Sequence, residues 1–351
     1  MTTFTQKYKK IAVIGAGMAG VTCARTLVEA GHQVTVFEKS AELGGRMATR
    51  DSAFGTFDHG AQYFTVRDAR LTHAMQALPG LCKAWSANAV QNLDEHGQIT
   101  VASVPAQDAH WVPTEGMKTL PTEMAKALTE QHRIELETRV THLERDAINA
   151  NLWQLRTEGA GGAQHVFSGF DAVLLAIPAP QASALLKTAA ATSDMAKQID
   201  QVEMAPCWTL MMAFPQAMQP GLTTLGPQWN AARSSHHRLA WLARESSKPG
   251  HSEIERWTVQ ASAAFSKEHL QDDNARVQGK LLKAFSEVTG IHAAPSHVEI
   301  HRWLYAQTIT PLGQSHLWDA QTGVGVCGDW CLGHRVEDAF VSGLELSLAA
   351  A

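Results

Sequence analysis

The sequence predicts an α/β fold in which a doubly wound, largely parallel sheet is interleaved with a second, α+β lobe. Three observations carry this. A strand, glycine turn, helix and second strand fill residues 10–38. Short, wholly apolar strands of the kind buried on both faces return at 170–177 and 324–328. Between them, residues 201–214, 238–243 and 255–263 read as strands of a different sheet. A length of 351 residues, at ~150 per domain, suits two lobes.

In chain order, Ile11 to Gly15 (IAVIG) is a β-branched run too short for a helix. The turn G-A-G-M-A-G opens an apolar-periodic helix that closes at Gly31, a residue suited to the left-handed position after a helix. Val34 to Glu38 (VTVFE) is the second strand, and a helical crossover makes it parallel to the first. Ile134 to Leu143 and Trp153 to Thr157 predict short strands, and Phe170 to Ile177 (FDAVLLAI) a buried one stopped by Pro178 and Pro180. Gln201 to Phe214, Arg238 to Ala243 and Glu255 to Ala263 predict strands of the second lobe, and Asp272 to Thr289 an amphipathic helix. The chain ends on a short strand, Val324 to Gly328, and a helix from about Val336 to Ala350. This map assigns 1–70, 110–190 and 310–351 to a dinucleotide-binding domain and 71–109 and 191–309 to a substrate domain.

Composition narrows the function. Apolar residues make up 45% and charged residues 18%, which excludes a disordered or coiled-coil chain. The net charge of −5, with no long run of either sign, argues against a nucleic-acid partner. No window of about 20 residues is continuously apolar, so no membrane span is expected. The N-terminal MTTFTQKYKK lacks the apolar core of a secretory signal. The five cysteines (Cys23, Cys82, Cys207, Cys327, Cys331) show no C-x-x-C spacing, and together these features predict a cytoplasmic protein. His236 and His237, or His297 and His301, have no acid or cysteine to complete a ligand set, so no metal is expected.

The strongest chemical signal is the glycine turn, which between a strand and a helix is the fingerprint of a Rossmann-type dinucleotide site. Gly15 turns the chain, Gly17 lets the backbone approach a pyrophosphate at the positive helix end, and Gly20 lets the helix pack on the strand. Ala16, Met18 and Ala19 complete the turn. Glu38, with Lys39 beside it, ends the second strand where a carboxylate accepts hydrogen bonds from ribose hydroxyls. This fingerprint serves NAD and FAD alike. Two further segments bear on the choice. In Gly44-Gly45-Arg46-Met47 two glycines permit close backbone approach, and the guanidinium can neutralise phosphate or hold a carbonyl. In Gly328-Asp329 a carboxylate between strand and helix either binds sugar-chain hydroxyls or caps the helix.

Taken in order, these pieces resemble the FAD-dependent amine oxidase superfamily. F-D-H-G-A-Q-Y-F-T (Phe57 to Thr65), W-V-P-T-E-G-M (Trp111 to Met117), H-R-W-L-Y-A (His301 to Ala306) and C-G-D-W-C (Cys327 to Cys331) extend the resemblance, nearly end to end, to its renalase-like branch. The resemblance implies a Rossmann-type FAD/NAD(P)-binding domain with an interleaved substrate domain in the amine-oxidase topology, and a non-covalent FAD. It further implies that Gly60, Ala61, Gln62 and Tyr63 lie beside the flavin ring, Val140 near the adenosine half and Asp329 on the ribityl chain. Val336, Glu337 and Ala339 would open a helix under the pyrimidine edge, where free N–H groups stabilise the charge of a reduced flavin. Tyr63, Trp303, Tyr305 and Trp330 would wall the substrate face as flat stacking surfaces.

The activity that this resemblance implies is oxidation of dihydronicotinamide isomers of NAD(P)H by hydride transfer to flavin N5, with O2 as acceptor and H2O2 as product. It requires positioning more than acid–base chemistry. An amine oxidase is the alternative. The superfamily's lysine on a central substrate-lobe strand and its tyrosine pair are poorly matched here: no lysine falls between Lys197 and Lys248, and the tyrosines are Tyr8, Tyr63 and Tyr305. A third reading is a flavin- or dinucleotide-binding protein without turnover.

Overall fold

A computed structural model of the chain describes residues 8–85, 90–100, 108–218, 226–227 and 229–351. The chain divides into two units. The first comprises Met1–Gly45, Pro121–Glu203 and Thr308–Ala351, the second Arg46–Leu120 and Met204–Gln307.

The first unit is built on a six-stranded sheet in the order Leu317–Asp319, Val324–Val326, Ala172–Leu175, Lys10–Ile14, Gln33–Phe37 and Ile134–Glu135. All neighbours are parallel except the Leu317–Asp319 edge strand. Ile11 to Val13 and Ala172 to Leu175 are buried, as the unbroken apolar runs require of a sheet covered on both faces. The helix Met18–Glu29 makes the crossover, and Gly31 has a φ of +93° just beyond it. The predicted strand over 134–143 is two strands. Ile134–Glu135 joins the parallel sheet, whereas Arg139–Arg145 pairs with Trp153–Glu158 in a three-stranded antiparallel sheet completed by Gln164–Phe170. Between them Glu137 has a φ of +50°, a conformation that no strand continues through. Pro178 ends the Ala172–Leu175 strand and caps a further helix, Ala179–Leu186, with Pro180 in its first turn.

The second unit rests on a six-stranded sheet in the order His297–Thr310, Glu203–Phe214, Glu255–Ala261, Leu239–Arg244, Ala231–Ser234 and Val90–Leu93. Strand alternation divides its side chains between two faces. One face carries Trp208, Leu210, Met212, Phe214, Leu242, Trp257 and Val259. It packs with Val277, Leu281, Phe285 and Val288 of the helix Asn274–Thr289, which Asp273 caps at one end and Gly290 at the other. The opposite face carries Met211 and Ala213 against Phe57, and Thr258 and Gln260 beside the chain segment 57–63. That packing places residues 46–70 in the second unit, although the sequence map put them with the dinucleotide-binding segments; residues 110–120 likewise fall in the second unit, and 191–203 and 308–309, mapped to the substrate domain, in the first.

In the first unit, a methyl group on Gly343 of the helix Val336–Ala350 would overlap the Ala19 carbonyl oxygen of Met18–Glu29. Gly343→Ala is expected to lower unfolding stability by about 1–3 kcal/mol through overpacking, read as a shift in the urea midpoint at unchanged m-value.

Candidate active site

In the first unit, the glycine turn is shaped by two different demands. A Cβ on Gly15 would meet the Ala176 carbonyl oxygen, and one on Gly20 would overlap the Gly15 carbonyl oxygen, so both glycines are fixed by protein packing. A Cβ on Gly17 would meet only the backbone of Gly44 and Gly45, at 3.8 and 3.9 Å. Gly17 is also the N-cap of Met18–Glu29 and has no side chain to cap the helix. Room beside a bare helix N-terminus is what a pyrophosphate needs.

Glu38 is buried, its carboxylate accepting from Ala16 N and Ser40 N at 2.8 Å each, so it clamps the turn at the strand end. Gly44 lies beside Gly17, its N–H donating to Ala16 O at 3.0 Å. Lys39 and Gly45 are exposed, and Val140 is half-buried on the Arg139–Arg145 strand. At the chain end, Gly328 has a φ of +158°, and Asp329, also buried, heads a single 3-10 turn. The long helix starts later, at Val336, with Glu337 buried and Ala339 half-buried in its opening turns. Asp338 closes that start by accepting from His334 N and Arg335 N.

Trp330 is not on a substrate face. It is fully buried in the first unit, its Nε1 donating to Ile177 O at 3.0 Å, because the extended backbone at Gly328 leaves space that the indole fills. The thiols of Cys327 and Cys331 are buried there too and pushed well above the usual thiol range. Cys331 is shifted by burial, Cys327 by its hydrogen bond with Cys23 and then by burial. Neither is a nucleophile at neutral pH.

The second unit brings the remaining predicted residues together. Arg46 and Met47 form a 3-10 turn whose carbonyl at Arg46 accepts from Ala61 N at 2.8 Å, and a Cβ on Gly60 would overlap that same carbonyl. Gly60 O in turn accepts from Gln260 Nε2 at 2.7 Å, and Gln62 Nε2 folds back onto the Asp58 carbonyl. Tyr63 stacks on His110 with ring centroids 3.9 Å apart and lies 5.7 Å from Trp241. His59 stacks on Trp303, whose Nε1 donates to His59 O at 2.9 Å, and His301 meets both edge-on. Tyr305 is half-buried two residues beyond Trp303 on the same strand, hence on the same face.

Burial, then the charges of His301 and Arg50, lower His59 to about 3, and burial and Arg233 lower His110 as well. The result is a face of rings and uncharged nitrogen atoms. His59 Nδ1, Gln62 Oε1, His110 Nδ1 and Trp241 Nε1 are buried there without a hydrogen-bond partner.

Beneath this face lies a cluster that the sequence reading missed. Lys248, Asp58 and Glu245 all have fully buried side chains, and the ammonium stands 2.8 Å from Asp58 Oδ2 and 2.9 Å from Glu245 Oε2. Asp58 Oδ1 also accepts from Met117 N and Thr49 Oγ1 at 2.7 Å, and Glu245 Oε1 from Thr258 Oγ1 at 2.7 Å. Burial pushes both carboxyls up. At Asp58, Lys248 and His251 and the hydrogen bonds outweigh it, leaving the group below the usual range, whereas Glu245 stays above it. Asp58, Glu245 and His251 alone would make a plausible metal set, but the Lys248 ammonium already stands between the two carboxylates, within ion-pair distance of both. Glu245, Lys248 and His251 follow one another at intervals of three, but Asp58 lies far away in sequence, so no local spacing announces the ion pair.

The first unit has the fold and cradle of a dinucleotide-binding domain, and the second presents a ring-lined face. Family comparison specifies this class. Residues 13–78 match an NAD(P)-binding Rossmann-like domain, and residues 84–347 match the flavin containing amine oxidoreductase family, to which the chain therefore belongs. The dinucleotide of this family is FAD, and the space at Gly17 fits it.

Among curated relatives, a 4,4'-diapophytoene desaturase of Staphylococcus haemolyticus is 47% identical over 58 residues, 16% of this chain and 12% of its own. An L-amino-acid oxidase of Crotalus adamanteus is 51% identical over 47 residues, 13% and 9%. The chain thus spans about a tenth of the length of these relatives. Two solved structures share the fold. One, described as a protoporphyrinogen oxidase from Exiguobacterium sp. 255-15, has a TM-score of 0.75 at 16% identity, covering 98% of both chains. Cyclohexylamine oxidase from Brevibacterium oxydans IH-35A has a TM-score of 0.72 at 12% identity, covering 98% and 99%. No described helix is long and apolar enough to cross a membrane.

Two predictions follow from the cluster and the buried histidines. Lys248→Met leaves two buried carboxylates without their ammonium and is expected to cost about 3–5 kcal/mol, measured by chemical denaturation. His59 and His251 fall from 6.5 to about 3 and about 4 in the folded chain. The unfolded chain therefore binds protons that the folded one does not, and stability falls as pH drops from 6.5 toward 4. The His251 share is about 3 kcal/mol, so the slope of Tm against pH in that window should flatten in His251→Asn.

Proposed function

We propose that the protein is an FAD-dependent oxidase of renalase type. It oxidises dihydronicotinamide isomers of NAD(P)H by passing a hydride to flavin N5. O2 then accepts the two electrons and, with two protons, leaves as H2O2. The observation that carries this reading is the face formed by His59, Tyr63, His110, Trp241 and Trp303: stacked rings with unfilled ring nitrogens and histidines held neutral. Such a surface takes a flat heteroaromatic ring by stacking, and hydride transfer from a dihydropyridine needs no protein base. The lysine beneath the face, Lys248, is committed to Asp58 and Glu245 and is fully buried. That weighs against an amine oxidase relying on a free lysine amine. The local likeness to an L-amino-acid oxidase and the shared fold with cyclohexylamine oxidase concern cofactor and architecture and leave the substrate to this face.

The test is anaerobic mixing of the FAD-loaded protein with 2- or 6-dihydro isomers of NADH and NADPH, with ordinary NADH, and with primary amines, followed at the flavin absorbance. Bleaching by the isomers at least about tenfold faster than by NADH, a barrier difference of ~1.4 kcal/mol, is expected. Faster bleaching by an amine overturns the reading.

A further inference from the structure

The strand register of the second unit sets Asn92, Arg233, Trp241 and Gln260 side by side across four neighbouring strands. Gln260 and Trp241 meet the segment 60–63, so Arg233 lies at the outer end of the ring-lined face. Its side chain is exposed, with the guanidinium carbon 5.8 Å from the Trp241 ring centroid. It makes no ion pair among the described residues. Asp108, the acid that acts on His110, is held by Arg67. Arg233 is close enough to His110 to help lower it.

Two buried ring nitrogens in the same group, Trp241 Nε1 and His110 Nδ1, have no partner, though the two residues are only 9% and 6% exposed. An indole N–H can only donate, so it calls for an acceptor oxygen. A fixed positive charge, an unfilled donor and the stacked pair Tyr63–His110 thus converge on one small area. A flat ring fits the stack, and an oxyanion borne by the same molecule fits the guanidinium and the indole N–H.

We propose that Arg233 and Trp241 form an anion subsite that holds a phosphate oxygen of the substrate and makes the enzyme select phosphorylated nicotinamide nucleotides over the free nucleoside. The subsite deepens the function proposed above and rests on it for the identity of the ring. A neutral His110 leaves Arg233 as the charge that does the selecting, which separates it from the general attraction of a basic surface.

The experiment uses the FAD-loaded protein and two electron donors, a 6-dihydro isomer of NADH and the corresponding dihydronicotinamide riboside, which has no phosphate. The ratio of their kcat/KM values should fall at least about tenfold in Arg233→Gln, mainly through KM of the dinucleotide, since each tenfold corresponds to ~1.4 kcal/mol. Arg233→Lys should restore part of it, and added salt should weaken dinucleotide binding in the parent more than in Arg233→Gln. An unchanged ratio in Arg233→Gln overturns the subsite. If neither donor bleaches the flavin, the proposed reaction fails on its own. The subsite is then read by calorimetry with ADP as probe: binding weakened about tenfold in Arg233→Gln sustains it, and equal or absent binding sinks it.

Discussion

An ammonium group removed from water has to be surrounded by carboxylates, and around Lys248 that requirement organises the second unit. Asp58 comes from the segment beside the ring-lined face, and Glu245 from the turn after the Leu239–Arg244 strand. Asp58 also anchors Met117 N and Thr49 through its other oxygen, so one ion pair joins three stretches of chain far apart in sequence. The neighbouring residues inherit this rigidity. Gln62 folds back on Asp58, Gly60 is held by Gln260, and His59 is clamped between its stacking on Trp303 and the indole N–H bond to its carbonyl. The buried charges do not need to react to matter; they fix the geometry of uncharged groups above them.

The two units divide the chemistry in a physically sensible way. The first offers backbone: a turn with one unopposed glycine, a helix start without a side-chain cap, and an acid that closes the turn. Backbone N–H groups suit a cofactor whose invariant part is a pyrophosphate. The second offers side chains, a set of rings and ring nitrogens. Desolvation is the common agent there, holding His59 and His110 neutral and leaving Arg233 the charge at the rim.

What the sequence disclosed follows the range of the interaction. The strand–turn–helix–strand unit and the final helix are local, set by apolar runs and glycines, and they were legible to within a residue; the buried strand expected over 170–177 is the shorter Ala172–Leu175, with Phe170 ending the Gln164–Phe170 strand of the antiparallel sheet. The place of Glu38 at the end of the second strand was legible from the fingerprint, whereas the hydrogen bonds it accepts from Ala16 N and Ser40 N were not. The break at Glu137 was not, since nothing in the apolar pattern announces a left-handed residue inside a plausible strand. Trp330 misled because an aromatic beside a cofactor-type motif looks like a wall until the space at Gly328 is seen to be filled by its indole. The Lys248 cluster was invisible for a different reason: Asp58 and Lys248 lie 190 residues apart, and only the fold brings them together.

One irregularity in the second sheet reaches further than its size suggests. Leu239 pairs with Ala261 but Trp241 pairs with Gln260, so one residue of the strand is extra at that point. The bulge keeps Leu239 and Leu242 in the hydrophobic core while turning Trp241 to the opposite face beside Tyr63. A single extra residue in one strand thus decides which side of the sheet a large ring occupies.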